Sequence, residues 1–158
     1  VISLYYTMKS YNLSNTYWSL ILPQIGLSIP FSIFWLRASF KAIPNSLSEA
    51  AMIEGADRLT ILIKILLPQM IPAILTLTVL LFMWTWNEFL LALIMIQDAE
   101  MRTAPLALSY FAGNKRYGDP AITAAAAIWV ALPVLIIYIF LQRRFISGMV
   151  TGAVKEWL

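Results

Sequence analysis

The side chains able to do chemistry are few, and their types set the first limits. Among 158 residues there is no His and no Cys, which removes the commonest metal ligand and general base, the thiolate nucleophile and any disulfide framework. Acid–base catalysis inside a membrane would need two close carboxylates, here Glu88 with Asp98 or Asp119, but both aspartates fall outside the apolar run that holds Glu88. The six glycines, at positions 26, 55, 113, 118, 148 and 152, do not compose a G-x4-G-K-S/T phosphate loop. One cluster could meet a solute. Trp84, Asn87 and Glu88 lie within about one helical turn, and an indole face beside an amide and a carboxylate suits sugar rings and hydroxyls. The plainer reading is that the tryptophans pack and that Glu88 pairs with a neighbouring helix or meets water near the outer end of its run.

Composition says what must position these residues. The chain is 61% hydrophobic and 12% charged, against roughly 45–50% apolar in soluble domains, so the bilayer is its natural solvent. A spanning helix needs about 20 mostly apolar residues, and three windows qualify: about 17–36, 71–96 and 121–141. Trp18 and Trp35 sit near the ends of the first window, as interfacial anchors would. Val1 to Met8 is too short to span and reads as the end of a helix whose start is missing, so a fragment is expected. Pro23, Gly26, Pro30 and Pro133 bend or loosen helices at membrane depth, and Ala124 to Ala127 offer a small-residue face for a neighbouring helix. The net charge of +3 comes without a basic stripe, so no nucleic-acid partner is expected.

Orientation is read from Lys and Arg, which are retained on the cytoplasmic side. Seven (Arg37, Lys41, Arg58, Lys64, Arg143, Arg144, Lys155) fall on one side and four (Lys9, Arg102, Lys115, Arg116) on the other. The 37–68 connection and the C-terminus are therefore expected in the cytoplasm, and 9–16 and 98–120 outside.

The cytoplasmic connection, about 44–68, reads as two helices around a tight turn. Ser46 and Glu49 have capping-box spacing behind Pro44, Gly55 suits a left-handed helix end, and Asp57 can cap the second helix. Leu59, Leu62, Ile63, Leu66 and Leu67 form an amphipathic stripe that Pro68 interrupts. Ala50 and Ala51 let a partner approach the backbone closely, and Glu49 and Glu54 offer charge. On local physics a docking element and an interfacial hairpin that caps the bundle are equally served.

Glu49-Ala50-Ala51, Gly55, Ile65, Leu67 and Pro68 fit the pattern E-A-A-x3-G-x9-I-x-L-P. This resembles the EAA loop of permease subunits of binding-protein-dependent ATP-binding-cassette importers, with Glu54 where an Asp often precedes the glycine. The tail from Gln142 to Lys155, with its Gly152-Ala153-Val154-Lys155 ending, is similar to that of the carbohydrate-transporting subfamily, in particular the smaller membrane subunit of maltose-type importers. Trp84 to Phe89 resembles the Trp-Asn-x-Phe stretch of sugar permeases.

The resemblance implies an all-α polytopic bundle in the bacterial inner membrane, with Glu49, Ala50, Ala51, Glu54, Gly55 and Asp57 coupling it to ATPase subunits. It also implies a second permease, an extracytoplasmic solute-binding protein and a sugar substrate. ATP and Mg would be held by the separate ATPase, and this chain would hold no cofactor or metal. Gly113 to Pro120 reads as a turn-rich external loop, a connector that could also meet the binding protein. Two other readings stay open: a permease for another small solute, and a noncatalytic scaffold that recruits a cytoplasmic partner.

Overall fold

The computed structural model describes the backbone of residues 1–113 and 119–153 and the side chains of residues 1–112 and 119–139. The expected tail motif and most of the external loop lie outside the described side chains. Every regular element among the described residues is helical: α1 (Ile2–Ser10), α2 (Trp18–Lys41), α3 (Asn45–Ile53), α4 (Arg58–Thr60), a π-helical turn (Ile61–Leu66), α5 (Leu67–Trp86), α6 (Leu90–Met95), a 3-10 turn (Ala99–Met101), α7 (Ala104–Gly113) and α8 (Pro120–Ala153). An all-α membrane chain results. Trp18–Lys41, Arg58–Trp86 and Pro120–Ile139 are long and apolar enough to cross a bilayer, and in lipid a helix satisfies its own backbone polar groups.

Three differences from the sequence expectation have local causes. The second run does not continue to 96 as one helix: α5 stops at Trp86 and α6 begins at Leu90. Two polar side chains compete with the helical ladder at the break. The Asn87 amide donates to the Met83 carbonyl at 2.7 Å, and the Glu88 carboxylate accepts the Leu91 N–H at 2.7 Å. α2 continues past Trp35 to Lys41, and the Trp35 indole N–H donates to the Ala73 carbonyl on α5 at 3.0 Å. Leu59, Leu62, Ile63 and Leu67 form no buried stripe, whereas Ile61 is 3% exposed. The π turn widens the helix inside that stretch and resets the register on which the stripe was counted.

The chain divides into two compact units. In the unit made of Val1–Ser28 and Leu81–Phe140, a small core gathers Met8 of α1, Leu20 of α2, Leu91, Ala92 and Met95 of α6, Ile96, and Leu106 of α7. Trp86 stacks on Phe82 and donates its indole N–H to the Val130 carbonyl on α8 at 2.9 Å. The other unit, Ile29–Leu80 with Leu141–Leu158, contains α3, the π turn and the Trp35–Ala73 bond. Both carbonyls that accept from tryptophan lie within one turn of a helix-interior proline, Pro72 and Pro133; Val130 stands three residues before Pro133, where the ring and the missing N–H loosen the ladder. None of the described side chains of α8 is buried, the Ala124 to Ala127 face included.

Candidate functional site

The loop before the second span holds the first group of expected site residues. Pro44, at φ −62 and ψ 133, occupies the position before the first turn of α3, so the helix starts at Asn45. Ser46 therefore falls inside the first turn and caps nothing, which corrects the capping-box expectation. The other end obeys the glycine rule. Gly55 stands at φ +82, its N–H donates to the Met52 carbonyl at 3.0 Å, and the Ala56 N–H donates to the Ala51 carbonyl at 3.0 Å. These are the paired bonds of a Schellman ending.

Asp57 then starts α4, its Oδ1 accepting the Thr60 N–H at 3.3 Å. Hydrogen bonding, first from the Thr60 side chain and then from the backbone of Thr60 and Leu59, outweighs a smaller opposing desolvation and holds the Asp57 carboxyl below its ordinary 3.8.

α3 packs against the π turn that follows α4. Ala51 is its buried residue at 6% exposure, while Glu49, Ala50, Glu54 and Gly55 are exposed. The two alanines thus part company: one seats the helix and the other is offered outward. Two residues that sequence reasoning passed over join the outward surface, Met52 at 55% and Ile53 at 87% exposure. The signal was present as an apolar pair between two glutamates at the tip of a polar connection. Charge and exposed apolar side chains thus stand together on the outward side of a short helix.

The π turn has a cause in Pro68. Without an N–H, Pro68 cannot bond the Lys64 carbonyl, and its ring would press on that group in a regular α-helix. The chain widens instead, and the Leu67 N–H reaches back five residues to the Leu62 carbonyl.

The second group of expected residues stands at the α5–α6 break. Trp84 is 53% exposed in the last turn of α5, Asn87 is exposed and Glu88 is half-buried. Glu88, expected within a continuous span, lies between two helices: its carboxylate caps α6 through Leu91 and its carbonyl accepts the Thr103 hydroxyl at 2.8 Å. Thr103 and Asn15, which fix the surroundings of α6, carried no sequence signal because their partners are 15 and more than 80 residues away.

Residues 2–151 match the model of a family described as "Binding-protein-dependent transport system inner membrane component". The sulfoquinovosyl glycerol transport system permease protein of Agrobacterium fabrum is 35% identical over 155 residues, covering 98% of this chain and 54% of its own length. For the trehalose transport system permease protein of Mycobacterium tuberculosis the identity is 34% over 148 residues, covering 93% of this chain and 54% of the relative. The trehalose/maltose transport system permease protein of Thermococcus litoralis is 34% identical over 141 residues, covering 89% and 51%. The chain spans about half the length of these curated relatives. With the family model matched over nearly the whole chain and three helices able to span a bilayer, the chain belongs to the binding-protein-dependent transport system inner membrane component family.

Proposed function

We propose that this chain is part of a permease subunit that carries a carbohydrate into the cell, driven by a separate ATPase. The observation that carries this reading is the surface of α3. Glu49, Ala50, Met52, Ile53 and Glu54 are exposed on a helix that is seated on the π turn through its buried side and closed by Gly55. Closure of two ATPase subunits around ATP would press on that surface, and the π turn would pass the displacement into α5. Asp57 fixes the start of the second limb. ATP and Mg belong to the ATPase, and this chain contributes the transmission.

Carbohydrate as the cargo is supported by relatives whose names specify trehalose, maltose and sulfoquinovosyl glycerol transport. We place Trp84, Asn87 and Glu88 beside the solute path: an exposed indole face precedes a helix break that holds an amide and a carboxylate. The connection bearing α3 and the C-terminus face the cytoplasm in this reading, which the seven-to-four distribution of basic residues supports. A solute-binding protein delivers cargo from the other side, and a second permease completes the bundle, covering surfaces such as that of α8.

The test is co-purification of the full-length parent with the other subunits of its transport system, in native and Glu49→Lys forms. The native complex should retain the ATPase and hydrolyse ATP faster with loaded binding protein, and the charge reversal should abolish both. A native parent that retains no ATPase would favour the scaffold reading.

A further inference from the structure

Asn15 is the residue through which the connection before α2 grips the segment after α6. It stands at φ 56, a left-handed conformation that Asn adopts more readily than other residues with a side chain. Its amide oxygen accepts the backbone N–H of Gln97 at 2.8 Å and of Asp98 at 3.1 Å, and its amide nitrogen donates to the Asp98 carboxylate at 2.9 Å. The backbone N–H of Asn15 donates to the Met95 carbonyl at 3.1 Å. One residue thus makes four bonds to the exit of α6.

That helix needs such help. With six residues it is far below the length at which a helix holds itself. The Glu88 carboxylate fixes its start, Leu91, Ala92 and Met95 bury its inner face, and Asn15 fixes its end.

We propose that Asn15 is a positioning residue for solute passage: by holding the exit of α6 it sets where the Asn87–Glu88 break stands, and its grip stays closed through the transport cycle. This role rests on the importer reading above. The chemistry at position 15 is narrow. Gly keeps the backbone and loses every side-chain bond; Ala loses the bonds and strains the backbone. Asp keeps the acceptor for Gln97 and Asp98 but turns the remaining bond into a contact between two carboxylates, and like charges that close repel.

The test uses the full-length parent assembled with its ATPase, second permease and solute-binding protein in proteoliposomes, read by ATP hydrolysis as loaded binding protein is titrated. Asn15→Asp should lower the maximal stimulated rate about tenfold, the scale of a lost hydrogen bond to a charged group, with the ATPase still bound. Asn15→Asp with Asp98→Asn restores the bond with donor and acceptor exchanged, and should recover the rate to within about twofold. A purely structural role would lower the yield of complex and leave the rate per complex unchanged; that result, or a double variant no better than the single, overturns the proposal. With every other cysteine of the assembled complex replaced by serine, Asn15→Cys with Asp98→Cys supplies a second test. The pair should be slow when reduced and fast when cross-linked, and loss of activity on cross-linking would mean the grip has to open. A native complex without stimulated hydrolysis would overturn the importer reading itself.

Discussion

The Glu88 carboxylate accepts the Leu91 N–H at 2.7 Å, and this one bond joins the break after α5 to the first turn of α6. A carboxylate at a helix start satisfies an orphan donor and faces the positive end of the helix dipole. Gln at position 88 still presents an acceptor, whereas Ala does not. Glu88→Gln should therefore leave membrane abundance unchanged and lower uptake several-fold if the charge faces the solute path. Glu88→Ala should in addition destabilise the chain by about 1 kcal/mol, the usual cost of a lost cap. Uptake kinetics with thermal inactivation of the purified complex separate the two effects, and unchanged uptake by the Gln variant would remove Glu88 from the solute path.

Ala50 and Ala51 are adjacent and should respond differently to the same change. Ala51 is buried on the face of α3, so Ala51→Leu overpacks that contact and should cost about 1–3 kcal/mol. Ala50 is exposed, so Ala50→Leu should leave stability unaltered and block the ATPase from docking. Urea titration of the complex and retention of the ATPase on an affinity column give the two readouts. Equal destabilisation by both changes would count against this division of roles.

At Gly55 the cost comes from the backbone alone, because a Cβ built there meets nothing within 4 Å while φ is +82. Gly55→Ala and Gly55→Leu should each destabilise the loop by about 1 kcal/mol, and Gly55→Asn by less, since Asn tolerates the left-handed region. Urea titration of the three variants checks this order. A large difference between Ala and Leu would show a steric limit in place of a conformational one.

Much of the 44–68 connection was legible in the sequence because its determinants are local. Gly55 as a helix end and Asp57 as a cap depend on residues within one turn, and both stand as the spacing implied. Ser46 misled because Pro44, two residues earlier, already took the entry position. The break at Asn87–Glu88 was hidden by hydropathy, which continues through Ile96 regardless of how the backbone runs. Trp35 and Asn15 were beyond reach for a different reason: each bonds to a partner 38 or more residues away, and no spacing rule specifies such pairs.

Asp57 also predicts a pH response. Its carboxyl sits below its ordinary 3.8 in the folded loop, so the cap is fully present above that value and weakens only as pH falls through the lower folded value. Docking of the ATPase should accordingly be insensitive to Asp57 between pH 5 and pH 8 in any comparison with Asp57→Ser, which keeps a capping oxygen without the charge. Asp57→Ala should weaken docking across that whole range. A difference between Asp and Ser that appears at neutral pH would mean that the charge contacts the partner and does more than cap α4.

The π turn before Pro68 gives the last expectation, since it sets the rotational phase between α3 and α5. A π turn accommodates one residue more than the α-helix it interrupts, which is about 100° of helix rotation. Pro68→Ala restores the N–H that Lys64 lacks and allows the turn to close into a regular helix, swinging α3 around the axis of α5 by that amount. The variant should insert and fold normally, yet bind or stimulate the ATPase poorly. Removing Lys64 in the same variant takes out the extra residue and returns the two helices to their original phase, so Pro68→Ala with deletion of Lys64 should recover coupling that Pro68→Ala loses. Stimulated ATP hydrolysis by the reconstituted complex measures both. Normal coupling by Pro68→Ala alone would show that the proline does not hold the turn open, and failure of the deletion to rescue would show that the phase between α3 and α5 is not what the turn supplies.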